Sequence, residues 1–96
     1  MTGVADLDEV QYDLEVDGEE VRRQLSRRVW ERSGWATIAI AYIERDRGGQ
    51  WKPPQLALLR FKRAGDGWAR HAQVSVPIDD VQAFLSSVKL DANESE

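Results

Sequence analysis

The stretch Trp35–Arg45, WATIAIAYIER, limits what this chain can fold into more than any other segment. It is rich in β-branched, aromatic and small residues and too apolar for a surface helix, so it reads as a strand. Both of its faces are apolar, with Ile38 and Ile40 opposing Thr37, Ala39 and Ala41. Gln55–Arg63 (QLALLRFKR) has the same character, with Leu56 and Leu58 opposing Ala57, Leu59 and Phe61. Strands that are apolar on both sides need cover on both sides. The rest of the chain therefore has to supply one layer, or a partner has to.

Turn chemistry organises the remainder. Val10, Tyr12, Leu14 and Val16 alternate with polar residues, which predicts a half-buried strand, and Asp17-Gly18 is a hairpin pair. Glu20–Arg32 fits two descriptions. Val21, Leu25 and Val29 recur every fourth residue, as in a helix capped by Asp17 and ended at Gly34. Ser33-Gly34, flanked by Trp30 and Trp35, instead looks like a hairpin turn, and we take the segment as a strand with those three apolar residues on one face. Gly48-Gly49 and Pro53-Pro54 mark a loop over Asp46–Pro54. Ala64–Gly67 is a tight turn. Trp68–Val76 is the last strand, with Trp68, Ala72, Val74 and Val76 alternating against His71, Gln73 and Ser75. Pro77 opens a helix running to about Leu90. Asp79 and Asp80 suit its first turn, and Ile78, Val81, Leu85 and Val88 form a stripe with Phe84 beside it.

The expected fold is α+β: an antiparallel sheet of four to five hairpin-connected strands followed by one C-terminal helix. Residues 10–90 form the single domain, between acidic flexible tails at 1–9 and 91–96 that are too polar to join a core. The helix covers one face of the sheet, and a second copy of the chain is the simplest cover for the other, so a homodimer is expected.

Charge is sorted along the chain. Met1–Glu20 carries eight acids and no Lys or Arg, a charge of −8; Val21–Arg70 carries +8; His71–Glu96 carries −4. A net charge of −4 thus hides a basic body between acidic ends, and basic surface bearing aromatics suits a polyanion. With no cysteine there is no disulfide framework or thiolate metal site. No apolar run reaches the roughly 18 residues of a membrane span, and the acidic start is no signal peptide, so a cytoplasmic location without a membrane partner is expected.

The segment YIERDRGGQWKP, Tyr42–Pro53, resembles part of the PC4-like coactivator family, where a strand ending in Tyr and acidic residues runs through a Gly-containing loop to a Lys-Pro pair. That pair is Lys52-Pro53 here. Hairpins followed by a C-terminal helix are similar to the PC4-like and Pur-like (Whirly-related) single-stranded nucleic-acid-binding proteins. The two strands between Lys52-Pro53 and the helix are closer to the Pur-like and Whirly-like members. The resemblance implies a dimer whose curved sheets bind single strands through basic and aromatic side chains.

The candidate nucleic-acid-binding residues are Arg28, Trp30, Arg32, Trp51, Lys52, Arg60, Lys62, Arg63, Trp68 and Arg70, interleaved with Phe61. Cations neutralise phosphates, and aromatic faces stack on unpaired bases. Core packing is the competing use of the aromatics, and the stronger one for Phe61. The acidic N-terminal block is either a solubilising tail or a polyanion mimic lying on the basic sheet. His71 has no cysteine or second histidine to join in metal binding. Asp79 and Asp80 are explained by the helix start, and the glycine pairs lack the Lys-Ser/Thr of a phosphate loop. No nucleophile–base pair can be assembled. A non-enzymatic protein without a cofactor is expected, binding single-stranded DNA or RNA. Its rival is an interaction module whose basic face docks an acidic protein.

Overall fold

A computed structural model describes residues 3–88. Hairpin turns set its frame. Asp17 and Gly18 hold φ of 54° and 81°, and Ser33 and Gly34 hold 53° and 81°. Positive φ at both central positions is the type I′ turn, whose twist matches that of the strands it joins. The strands are β1 (Gly3–Val4), β2 (Leu14–Val16), β3 (Glu19–Arg32), β4 (Trp35–Glu44), β5 (Gln55–Ala64) and β6 (Gly67–Pro77), with α1 (Ile78–Ser87) after them. They form one antiparallel sheet in the order β1-β6-β5-β4-β3-β2, curled as a half-barrel. The α+β class holds, and Glu20–Arg32 is a strand.

The six strands exceed the expected four to five, because the first residues join the sheet. Gly3 and Val4 pair with Ala69 and Trp68 of β6. The close approach requires glycine at position 67, where a Cβ would lie 2.5 Å from the Val4 carbonyl oxygen. From β1 at one edge, residues 5–13 cross one face of the sheet to β2 at the other. We call this crossing segment the strap and the face beneath it the inner face.

The expectation that residues 1–9 stay off the core is therefore corrected: Leu7 is only 5% exposed, and Val10 and Tyr12 are buried beside it. They pack on Ala36, Ile38, Ile40, Tyr42, Ala57, Leu59, Phe61 and Trp68. Burying a large apolar side chain contributes roughly 1.5–3 kcal/mol, enough to hold down a strap whose other residues are acidic. Polar contacts fix its path. Tyr12 meets Tyr42 edge-on at 4.9 Å under the Arg22 guanidinium, and its hydroxyl accepts from Gln73 Nε2 at 3.2 Å. Arg27 donates to the Val10 carbonyl, and the Gln24 N–H donates to Asp13 at 2.7 Å. The strand expected over Val10–Val16 is thus only Leu14–Val16; before it, the chain is occupied with crossing the face.

Of three register shifts in the sheet, one lies between β2 and β3 and two bear on the faces described below. In β3, Gln24 pairs with Tyr42 and Ser26 with Ala41, leaving Leu25 as an extra residue. In β6, Arg60 faces Ala72 and Phe61 faces Arg70, leaving His71 extra. Each insertion reverses which face later residues occupy. Val21, Leu25 and Val29 therefore do not share a face, since Val29 turns inward. Trp68 likewise points inward, while Ala72, Val74 and Val76 point outward.

The helix is not the layer expected over the sheet. None of its residues is buried, and Phe84 and Leu85 are 63% and 54% exposed. The helix ends at Ser87, with Val88 already extended as its C-cap, short of the end expected near Leu90; the tail at 91–96 lies outside the described residues.

Candidate nucleic-acid interface

Register decides which side chains share the outer face. A two-residue turn at Ser33-Gly34 sets Arg32 opposite Trp35, Trp30 opposite Thr37 and Arg28 opposite Ala39. Across the next ladder, Trp35 pairs with Lys62 and Thr37 with Arg60. Ala36, Ile38, Ile40 and Tyr42 face inward, so alternation turns Trp35, Thr37, Ala39, Ala41 and Ile43 outward with their partners. Arg28, Trp30, Arg32, Arg60 and Lys62 thus meet on one end of the outer face.

Trp35 and His71, absent from the sequence-based set, lie among them. The Arg60 guanidinium sits 4.9 Å and Lys62 Nζ 5.5 Å from the Trp35 ring centre, and His71 meets that ring edge-on at 4.9 Å. Arg60 Nη1 also donates to Thr37 Oγ1 at 3.2 Å. Trp30, 53% exposed, walls a cleft of about 390 Å³ with Arg32, Ser33, Trp35, Thr37 and Arg60. Among the described residues no carboxylate lies within ion-pair distance of Arg28, Arg32, Arg60 or Lys62. The signal for Trp35 is in the sequence: a two-residue turn at 33–34 already places it diagonal to Trp30.

The other candidates go elsewhere. Arg63, Trp68 and Arg70 lie on the inner side. Trp68 is 7% exposed and lies under the Arg63 guanidinium at 4.9 Å, so its ring is part of the core rather than a stacking platform. Arg70 sits over Phe61 at 5.5 Å and donates to Gln73. Phe61 is fully buried. Trp51 and Lys52 lie at the opposite end of the sheet. The Trp51 ring faces Arg45 at 4.1 Å and Arg23 at 4.9 Å, and Lys52 is 4.0 Å from Glu44. Arg23 is itself bound to Glu20 at 2.6 Å; that hydrogen bond holds the Glu20 carboxyl below its ordinary pKa and raises that of Arg23.

A larger groove of about 530 Å³ runs beside the strap, where Asp6, Asp8 and Glu31 face a single cation, Arg63. Its charge repels a polyanion. Because the strap lies on the inner face, it does not cover Arg28, Arg32, Arg60 or Lys62.

No family model, curated protein or solved structure matches this chain. The resemblance to PC4-like and Pur-like proteins rests on the residues quoted for it. Among the described residues, no group of three or more His, Cys, Asp or Glu side chains is placed to hold a metal ion, and no helix is long and apolar enough to cross a membrane.

Proposed function

We propose that the outer face binds single-stranded DNA or RNA non-enzymatically and with little sequence preference. The observation that carries this reading is the cluster of four cations, without carboxylate partners among the described residues, around the exposed ring of Trp30. Phosphates are neutralised by Arg28, Arg32, Arg60 and Lys62, and a base stacks on Trp30. Ring faces and phosphates are common to all nucleotides, so such contacts discriminate little between sequences.

The test is titration of a labelled oligonucleotide of about 20 nucleotides, followed by tryptophan fluorescence at low and physiological salt. Four neutralised phosphates give a slope near −3 in log affinity against log salt, or roughly 50-fold weaker binding from 50 to 200 mM. Replacing Arg28, Arg32, Arg60 and Lys62 with Ala abolishes the salt-sensitive part, whereas Arg63→Ala, on the inner side, changes it little. Absence of binding at low salt rejects the proposal. The reading then left is docking of an acidic protein, which one observation favours: Arg60 and Lys62 already cover the Trp35 ring.

A further inference from the structure

The outer face has a second half, remote from the turn at Ser33-Gly34, and it is apolar. Ala39, Leu58 and Val74 form one row across β4, β5 and β6, and Ala41, Leu56 and Val76 form the next. The rows are about 7 Å apart along the strands. On β4 the outward side chains are methyl groups, so the surface dips between Leu56 and Leu58 on one flank and Ser26 and Arg28 on the other. Val74 is 52% exposed.

The same chain carries a counterpart that is only partly covered, with Ile78 and Val81 half-buried and Phe84 and Leu85 exposed. In α1, Ile78, Val81 and Leu85 form a stripe with Phe84 beside it, and no residue of the helix is buried. An apolar stripe on a soluble helix exists to be covered. Because α1 begins at the residue after β6 ends, there is no linker to fold it back over its own sheet. Charges complete the match. The helix bears Asp79 and Asp80 and no Lys or Arg, while Arg28 and Arg60 border the apolar rows and, among the described residues, have no carboxylate partner.

We propose that α1 of a second copy docks on these apolar rows, and that the exchange is reciprocal about a twofold axis. The size fits. A ten-residue helix is about 15 Å long and about 10 Å wide, enough to cover the two rows across β4 to β6. The row bearing Trp35 and Lys62 lies beyond that footprint. The interface is thus self-complementary, as a twofold dimer requires. It does not depend on nucleic-acid binding, and its test contains no nucleic acid.

Sedimentation at tens of micromolar protein is expected to give twice the 10.9 kDa chain mass. Phe84→Glu with Leu85→Glu should return the monomer mass with the sheet signal in circular dichroism intact. The chain has no cysteine, so single-cysteine variants report contacts cleanly. Mixing Leu85→Cys with Leu58→Cys should yield the mixed disulfide at least tenfold faster than mixing Leu85→Cys with Gln11→Cys, on the strap. A wild-type monomer mass, a dimer that survives the double glutamate variant, or equal disulfide rates would each overturn the proposal. If the glutamate variant fails to fold, the disulfide rates decide.

Discussion

Trp30 and Trp68 put one side chain type to opposite uses. Trp30 stands on the outer face of β3, whereas Trp68 closes the core beneath Arg63. Their alanine variants should therefore separate. Trp30→Ala is expected to weaken oligonucleotide binding by roughly 1–3 kcal/mol, the worth of one stacked base, and to shift stability by about 0.5 kcal/mol or less. Trp68→Ala should cost about 3–5 kcal/mol in urea unfolding. Unchanged oligonucleotide affinity in Trp30→Ala would remove Trp30 from the site. Glu20 offers a test of the charge assignments at the far end of the sheet. Its hydrogen bond to Arg23 lowers its pKa, so the contribution is present above the ordinary glutamate value and is lost as pH falls through the lowered one. A carboxyl-shift titration should place Glu20 below the ordinary value, and Arg23→Ala should restore it. Both side chains are exposed, so global stability should hardly respond.

At the scale of elements, the bulge in β3 puts Arg28, Trp30 and Arg32 on the outer face. Were β3 regular with Leu25 in the ladder, alternation from Arg22 and Gln24 would send Arg28 and Trp30 into the core. Deleting Leu25 removes the extra residue and keeps Gln24 opposite Tyr42 and Ser26 opposite Ala41, so cooperative unfolding should survive it, and Leu25→Ala, at a half-exposed site, should cost about 0.5 kcal/mol or less. The strap makes a parallel prediction. Leu7→Ala should cost about 2 kcal/mol or more, a penalty no dispensable tail would show. These elements also mark the limits of what the sequence discloses. Hairpins are legible because Asp17-Gly18 and Ser33-Gly34 have few other uses. The strap is not, because Leu7, Val10 and Tyr12 are outnumbered by acidic and polar neighbours. Bulges leave no side-chain signature, and Leu25 even completes a helix-like spacing with Val21 and Val29. In the site, alternation separates Arg63 from Arg60 and Lys62, though all three look alike in sequence.

For the molecule as a whole, the sheet separates charge across its thickness. The outer side of β3 to β6 carries Arg23, Arg28, Arg32, Arg60 and Lys62, of which, among the described residues, only Arg23 has a carboxylate partner, Glu20, while the inner side mixes cations with Glu31, Glu44 and the acidic strap. The net charge of −4 averages over two unlike surfaces. Accordingly, a polyanion should protect β3 and β5 amides from hydrogen exchange while leaving the strap unchanged, and protection centred on residues 5–13 would place the binding face wrongly. The crossing strap also bears on how the chain reaches this state. β2 to β6 pair with their sequence neighbours, so most of the sheet closes through short loops. Gly3, by contrast, must find Ala69. Closing that long loop gains little until both ends have somewhere to dock, which delays it. On a ribosome the strap emerges before β6 and has no floor to lie on until β6 has followed, so it is made ahead of the strands that hold it and placed after them.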